Sequence, residues 1–497
     1  MNKTRVMSLI MALILIASAV MSVSCGEKTG GNVTEAPATE APAVQTDEKT
    51  EPQATDPVFS SRKYDGQTFT SYIRNTDASN YASLYIVPSD DDGDIVNSQS
   101  DIRNMRVEEK FNIKLEFIQA SNPTSTLAKD TNDGKATYNL ILDQRYKEGP
   151  VAQKGLLADF NKIGVDLTTS WWDKNAAEAY SAYNCLYVMP CDISVSNLGG
   201  VRFYCFNKAV LENFHLTSPY ELAAKNEWTL ENFYKLVKSV SSPATEGIGV
   251  YGLVNETSSV RNAMLKGIGI PWIEKIDEEH FEVTIGTTYK EKTQNYLDGL
   301  KEIFNDTTCV MDFDTAHGID VENQSSYKDK YAHCRGLFAT DHFLFVHTNM
   351  SCVKSQFGDM SKGFGVIMNP KWSPDQDRYY HGQDSNSICF CIPSFSDNDL
   401  QMVGDILDYW AWESSRTTME AFYEITLKAK RADDPITAQM LDVVKGSIGY
   451  YISELVSIDV SAFVTQAYNS NVSSAWDTFK KSLPKSIDAQ IKQFKAK

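Results

Sequence analysis

Aromatic and polar side chains that could bind a ligand with apolar faces and hydroxyl groups stand in loop-like parts of the chain. A sugar ring presents apolar C–H faces and a rim of hydroxyl groups, so proteins bind it with aromatic platforms and fixed hydrogen-bonding side chains. Gln383 and Asp384 could add polar groups. Core packing is the alternative for every aromatic residue, and we favour it for Trp228, Trp410 and Trp412, which lie in helical patterns. The predicted ligand-binding residues are Asp143, Gln144, Trp171, Trp172, Asp173, Trp272, Trp372, Tyr379 and Tyr380.

Common catalytic signatures are absent from the sequence. There is no Gly-x-Ser-x-Gly elbow, no His-Glu-x-x-His motif and no phosphate-binding loop. His342 and His347 are five residues apart, a spacing that does not place two side chains on one face of a helix. A glycoside hydrolase remains the enzymatic alternative, because it needs only two carboxylates about 5 to 10 Å apart. We therefore predict a protein that is not an enzyme and needs no cofactor.

Metal-binding patterns are equally weak. The acidic turn at residues 90–94 lacks the alternating spacing and the distal Glu of a calcium loop, which favours a solvated turn. Eight cysteines follow Cys25, with no Cys-x-x-Cys pair among them. Disulfides are possible in an exported protein, but a body of this size can fold without them. We expect buried free thiols and no metal site.

The elements that would position these residues begin with a strand, a helix and a strand. Strands are predicted at residues 67–74 and 112–117, with a helix over 97–110 between them. The apolar run at 138–143 indicates a buried parallel strand that ends in polar residues. Because ligands of open α/β sheets gather at the carboxyl ends of such strands, the loop at Asp143 is a candidate cleft wall.

Further elements follow along the chain. Thr229 is a predicted N-cap, a helix is predicted over residues 290–304, and strands at 363–370 and 387–393. From residue 397 the pattern is helical, and Asp434-Pro435 is a typical helix start. Alternating strands and helices predict the α/β class.

The N-terminus has the pattern of an export signal. Cations at Lys3 and Arg5 precede an apolar run and small residues, which predicts a signal peptide at 1–24 and lipidation of Cys25. Ser22 departs from the Leu preferred there, so an ordinary signal peptide or a transmembrane anchor are the alternatives. Residues 25–57 are rich in Gly, Thr, Glu, Ala and Pro, a composition typical of a disordered linker.

Charge and length narrow the classes of partner. The net charge of −18 and the pI of about 4.9 disfavour nucleic acid and anionic lipid as partners, and favour neutral or weakly cationic ligands.

The length of the chain bears on its domain organisation. Residues 58–497 are too many for one ordinary hydrophobic core and suggest two lobes.

Several sequence fragments, taken in order, resemble a known family. They are Gly93-Asp94-Ile95-Val96-Asn97, Val107-Glu108-Glu109-Lys110-Phe111, Tyr138-Asn139-Leu140, Leu157-Ala158-Asp159, Trp171-Trp172-Asp173, Phe206-Asn207-Lys208, Trp228-Thr229-Leu230, Tyr251-Gly252-Leu253 and Gly363-Phe364-Gly365. Together they resemble the extracellular solute-binding lipoproteins of carbohydrate ABC importers, the group related to maltose-binding protein.

This resemblance implies a two-lobed periplasmic-binding-protein fold of type II with a ligand cleft between the lobes. The first lobe would span about residues 64–200 plus part of the later chain, and the second about 207–340 plus the C-terminal helices. Crossings are expected near 201–207, 342–347 and 386–393. The implied protein is a monomer, held by lipid at the extracytoplasmic face of the cell membrane, that delivers a sugar to permease subunits. A surface glycan-binding lipoprotein not coupled to transport is the alternative.

Overall fold

Two separate β-sheets, built from different parts of the chain, organise the structure. The computed structural model describes residues 57–75, 85–87, 89, 93–134, 137–357, 360–395, 397–432, 434–456 and 459–495. The predicted signal peptide, Cys25, nearly all of the predicted linker and residues 90–92 of the acidic turn lie outside them. The strands are β1 (Thr68–Arg74), β2 (Lys114–Ala120), β3 (Leu140–Gln144), β4 (Arg202–Asn207), β5 (Ser241–Ser242), β6 (Val250–Asn255), β7 (Ile273–Lys275), β8 (Phe281–Val283), β9 (Val310–Asp312), β10 (Phe343–Asn349), β11 (Phe364–Ile367) and β12 (Ile388–Cys391).

Helices cover both sheets and form most of the C-terminal part. The α-helices are α1 (Ile95–Phe111), α2 (Pro123–Asp133), α3 (Arg145–Gln153), α4 (Lys174–Tyr180), α5 (Ser196–Gly199), α6 (Lys208–Asn213), α7 (Pro219–Ala224), α8 (Leu230–Lys238), α9 (Thr257–Gly267), α10 (Lys290–Asn305), α11 (Phe313–Ile319), α12 (Lys330–Ala339), α13 (Met350–Gln356), α14 (Leu400–Ser415), α15 (Thr418–Glu420), α16 (Pro435–Gly446), α17 (Asp459–Asn469), α18 (Val472–Phe479) and α19 (Leu483–Lys492). Short 3₁₀ segments lie at Phe160–Lys162, Val321–Ser326 and Ile452–Glu454, and a π-helix spans Ala421–Arg431.

The first lobe is built on the sheet with strand order β12-β3-β1-β2. β1 pairs in parallel with β2 and β3, so the helices between these strands return the chain to the same end of the sheet. β12 comes from far along the chain and adds antiparallel to β3. All five residues of β3 are buried, as expected for an interior strand, and α14 packs on α1.

The second lobe is built on the sheet with order β11-β4-β10-β6-β5, in which β9 also pairs with β6. β10 lies at its centre, antiparallel to β4 and parallel to β6, and every residue of β10 is buried. The crossing predicted at residues 342–347 therefore differs from the structure, because this segment is an interior strand of the second sheet. α16 packs on β11, and α17 and α18 pack on α10.

The chain passes between the sheets at two neighbouring places. One passage precedes β4 and the other precedes β12, and an antiparallel bridge between Val201 and Gln383 holds them side by side. They lie beside the crossings predicted at 201–207 and 386–393. A third connection runs through the π-helix, which contacts α1, α13 and α16. The two passages and the π-helix therefore connect the lobes, and a cleft lies next to the passages.

A β-hairpin forms a further link between the lobes. β7 and β8 extend from the second lobe, where they lie between α9 and α10. Lys275 Nζ donates to the Ser181 hydroxyl at 2.7 Å and to the Ser181 carbonyl at 3.0 Å. The backbone N–H of Tyr183 donates to the carbonyl of Glu278 at 2.7 Å. We call these contacts the hairpin bridge.

All eight cysteines of the described ranges are buried free thiols, which confirms the expectation for them. Burial raises the pKa of the Cys309 thiol to about 11 and that of Cys334 to about 12. In the part of the chain that the structure describes, no helix is long and apolar enough to cross a membrane.

Candidate functional site

A cavity of about 930 Å³ lies between the two lobes, next to the passages. α3 of the first lobe forms one wall, and α9, α12 and the end of β10 in the second lobe form the other. Residues 382–386 of the passage and 453–456 of the C-terminal part complete it. The wall residues used below are Arg145, Tyr146, Arg202, Glu256, Lys266, Trp272, Tyr331, Arg335, Gln383, Asp384, Asn386 and Glu454.

The first-lobe wall begins where β3 ends. Tyr146 is 47% exposed, and its hydroxyl donates to Gln144 Oε1 at 2.8 Å. The side-chain amide of Gln144 donates to Asn386 on the passage. Asp143 is fully buried and accepts from the hydroxyl of Thr124 at 2.9 Å. Gln144 therefore lies directly behind the wall and fixes two of its side chains, whereas the contacts of Asp143 lie deeper in the first lobe.

Glu454 carries an ionic cluster that connects both lobes. Its Oε2 lies 3.5 Å from Arg145 Nε and accepts from the hydroxyl of Tyr180 at 2.5 Å, while its Oε1 accepts from Lys266. Burial by itself raises the pKa of Glu454, but the charges of Arg145 and Lys266 outweigh it and lower the pKa overall. Glu454 is therefore ionised and holds α3 of the first lobe against α9 of the second.

A second polar network fixes the passage. Arg145 donates to Gln383 Oε1 at 2.7 Å, and Gln383 donates to the hydroxyl of Tyr450 at 3.2 Å. Tyr450 in turn donates to Asp173, which also caps α4. The predicted residue Asp173 thus belongs to the layer behind the cavity. Because buried polar groups that are fully paired are held in one geometry, this layer presents the wall residues in fixed positions.

The second-lobe wall contributes aromatic surface. Trp272 and Tyr331 both line the cavity, and Trp272 is one of the predicted residues. The ring of Trp272 is 8% exposed, and its indole N–H has no hydrogen-bond partner among the described residues. With Tyr146 on the facing wall, both lobes offer an aromatic side chain to the same space. This combination suits a ligand with apolar faces and a polar rim.

Comparisons with known proteins agree with this architecture. The chain is similar to the ABC substrate-binding protein Lmo0181 from Listeria monocytogenes in complex with cycloalternan, at 13% identity and a TM-score of 0.52 over 84% of this chain and 99% of that one. It is also similar to a cyclo/maltodextrin-binding protein complexed with maltotetraose, at 13% identity and a TM-score of 0.54 over 87% of this chain and 97% of that one. The chain has the substrate-binding-protein fold.

No protein-family model matches the sequence, and no curated protein matches it. The likeness therefore concerns the fold. Both solved neighbours are described as binding proteins and not as enzymes. In the described ranges of this substrate-binding fold, no group of three or more His, Cys, Asp or Glu side chains is placed to hold a metal ion.

The structure does not bring Trp171 and Trp172 to the cavity. Both indole N–H groups donate to the same carboxylate oxygen of Asp408, at 2.7 and 2.9 Å. Trp171 packs near Phe59, and Trp172 is 3% exposed against Phe160. They join the loop before α4 to α14 within the first lobe, which accounts for two adjacent tryptophans in a polar setting.

Trp372, Tyr379 and Tyr380 form a separate group on the second lobe and are not on the cavity wall. The Lys292 ammonium lies 5.8 Å from the Trp372 ring. Lys371 lies 5.0 Å from the ring of Tyr379, whose pKa burial raises to about 12. The hydroxyl of Tyr380 donates to the carboxylate of Asp377 in the same loop. These contacts tie the loop to itself and to α10.

Sequence reasoning missed several wall residues. Arg145 and Tyr146 directly follow the predicted strand end, so extending that argument by two residues would have found them. Lys266, Arg335 and Glu454 lie on helices or loops without a local signal, because only tertiary packing brings them to the cleft.

Proposed function

We propose that the chain is a solute-binding protein that captures a carbohydrate in the cavity between its lobes. One observation carries the proposal: aromatic and fixed polar side chains from both lobes face a single cleft of about 930 Å³. A cavity of this size lies within the range that holds drug-sized ligands, roughly 300–1,000 Å³. The ligands named for the two solved neighbours, cycloalternan and maltotetraose, support the same class of ligand.

The binding cycle follows from the two walls. A sugar that contacts Tyr146 on one wall and Trp272 on the other interacts best when the lobes are close together. It therefore shifts the population toward the closed form, by no more than its difference in affinity for the two forms. A micromolar dissociation constant corresponds to about −8 kcal/mol, which two aromatic contacts and several hydrogen bonds can supply.

Delivery to an ABC permease is part of the proposal. The export signal at 1–24 and Cys25 support a lipid-held protein at the extracytoplasmic face of the membrane, with the linker as a tether. Deletion of the gene should abolish uptake of the bound sugar while leaving other sugars unaffected. Normal uptake after deletion would favour the alternative, a surface glycan-binding lipoprotein.

The test of the site compares two tyrosines. We expect Tyr146→Ala to weaken carbohydrate binding in calorimetry by roughly tenfold, since an aromatic contact contributes about 0.5–1.5 kcal/mol beyond buried area. Its melting temperature should change little, because the side chain is half-exposed. Tyr380→Ala is the control on the loop outside the wall. Equal losses in the two variants, or a loss only in Tyr380→Ala, would argue against this cavity as the site.

A further inference from the structure

The charged side chains of the cavity wall carry a net positive charge, whereas the whole chain is strongly negative. Among the wall residues that the structure describes, four are Lys or Arg and three are Asp or Glu, a net charge of +1, whereas the whole chain carries −18. A strongly acidic surface repels anions at long range. An excess of cations in one cleft is therefore a local feature that the average composition does not explain.

Two ion-pair groups account for five of these seven charges. Arg202 pairs with Asp384 at 2.5 Å, one charge against one. Glu454 is shared by Arg145 and Lys266, two cations against one carboxylate. Their side chains are 4% and 13% exposed, so solvent neutralises this excess poorly. The cluster at Glu454 thus keeps one positive charge next to the cavity.

Arg335 adds a second cation to the wall. It is 8% exposed, and no described carboxylate forms an ion pair with it. Its guanidinium reaches the side-chain oxygen of Gln356 at 3.5 Å, and its Nε has no hydrogen-bond partner among the described residues. A buried charge without a counter-ion costs free energy unless a partner compensates it. The remaining wall carboxylate, Glu256, accepts from the hydroxyl of Ser258 at 3.3 Å.

We infer that the carbohydrate held in this cleft is acidic and that Arg335 receives its carboxylate; this inference rests on the proposed function. The planar guanidinium offers parallel N–H donors that match a carboxylate in a bidentate geometry. A uronic acid residue would supply that carboxylate and would offset the excess positive charge of the wall. This differs from the neutral or weakly cationic ligand that the charge of the whole chain favours.

The experiment compares each acid with its own methyl ester. Oligogalacturonate, oligoglucuronate, alginate and hyaluronan fragments are titrated by calorimetry beside their methyl esters, together with neutral oligosaccharides of equal length. We expect at least one acid to bind tenfold or more tightly than its ester. Arg335→Gln should reduce that ratio to near one, and high salt should weaken the acid more than the ester. Arg378→Gln, on an exposed loop, removes the same charge elsewhere and should leave the ratio unchanged.

Each outcome is decisive. Equal affinity for acid and ester, or binding of neutral sugars alone, overturns the acidic ligand and leaves the proposed function standing. An acid preference that survives in Arg335→Gln overturns the role of Arg335. If no carbohydrate of either kind binds, the proposed function fails as well. Should Arg335→Gln not fold, the ratio of acid to ester in the unaltered protein still tests the acidic ligand.

Discussion

At the scale of single residues, the predicted polar groups act through their neighbours. Gln144 positions Tyr146 and Asn386, and Asp173 positions Tyr450. Their sequence signals are a polar strand end and a helix cap, and the structure places both residues one layer behind the cavity wall. This is expected, because a short run of sequence shows which residues stand at an element's end but not which side chain points outward.

His381 gives a residue-scale prediction about pH. Its Nε2 accepts from the backbone N–H of Asn369 at 3.0 Å, and its Nδ1 lies 2.8 Å from the hydroxyl of Ser447. Burial lowers the pKa of His381 to about 3, against about 6.5 in the unfolded chain. Between these values the unfolded state binds the proton and the folded state does not. The contribution of His381 to stability is thus full above pH 6.5 and falls as pH drops toward 3, by roughly 1.4 kcal/mol per unit.

The measurement is urea unfolding from pH 7.5 to 5 on the unaltered protein and on His381→Gln. A glutamine side chain can still accept and donate hydrogen bonds but does not titrate. The unfolding free energy of His381→Gln should therefore fall less steeply on acidification than that of the unaltered protein. Asp192 contributes with the opposite sign, because burial raises its pKa to about 7, but it is present in both proteins. Parallel pH profiles would contradict the role of His381.

At the scale of elements, local signals predicted much of the fold. Thr229 and Asp434 are side-chain N-caps, as predicted, and the helix expected at 290–304 spans Lys290–Asn305. Caps and periodicity are properties of neighbouring residues, so the sequence displays them. The sheet that β10 joins could not be predicted from such local signals. An all-buried strand shows no alternation, and nothing local tells which sheet it joins.

Gly149 gives a prediction about how two elements meet. A Cβ there would lie 1.9 Å from the carbonyl oxygen of Leu455, so the backbone of α3 touches the backbone of the loop at residues 453–456, which completes the cavity wall. We expect Gly149→Ala to destabilise the protein by about 1–3 kcal/mol, the usual cost of overpacking, and to displace the loop. Thermal unfolding measures the first effect.

Gly318→Ala in α11 is the matched control. It has no atom within 4 Å of the added Cβ, and alanine favours a helix by up to about 1 kcal/mol. This variant should therefore be as stable as the unaltered protein or slightly more so. A stable Gly149→Ala variant with unchanged ligand binding would show that the contact between α3 and the loop is not tight in solution.

At the scale of the whole molecule, the hairpin bridge should influence how far the lobes open. Weakening it with Lys275→Met and Glu278→Gln removes the donation from Lys275 and the carboxylate that accepts from the Ser181 hydroxyl at 2.8 Å, while the backbone bond from Tyr183 stays. These partly exposed contacts contribute about 1 kcal/mol. We expect a several-fold shift toward the open form without ligand and a correspondingly weaker apparent affinity. Small-angle scattering should show a larger radius of gyration without ligand and the same radius with saturating sugar.

Lys238→Met with Glu302→Gln is the control for this prediction. That pair, at 2.6 Å, links α8 to α10 inside the second lobe. Its loss should leave the radius of gyration and the affinity unchanged. If both double variants behave alike, the hairpin bridge does not set the opening of the cleft.

The buried thiols have a practical consequence for measuring how far the cleft between the lobes opens. Burial raises the pKa of Cys191, Cys205, Cys389 and Cys391 well above its ordinary value, so these side chains are poor nucleophiles at neutral pH. With Cys25 and the cavity-lining Cys352 replaced, one surface cysteine introduced on each lobe should take up a maleimide dye first. The chain thus tolerates site-selective labelling for fluorescence distance measurements without a cysteine-free background.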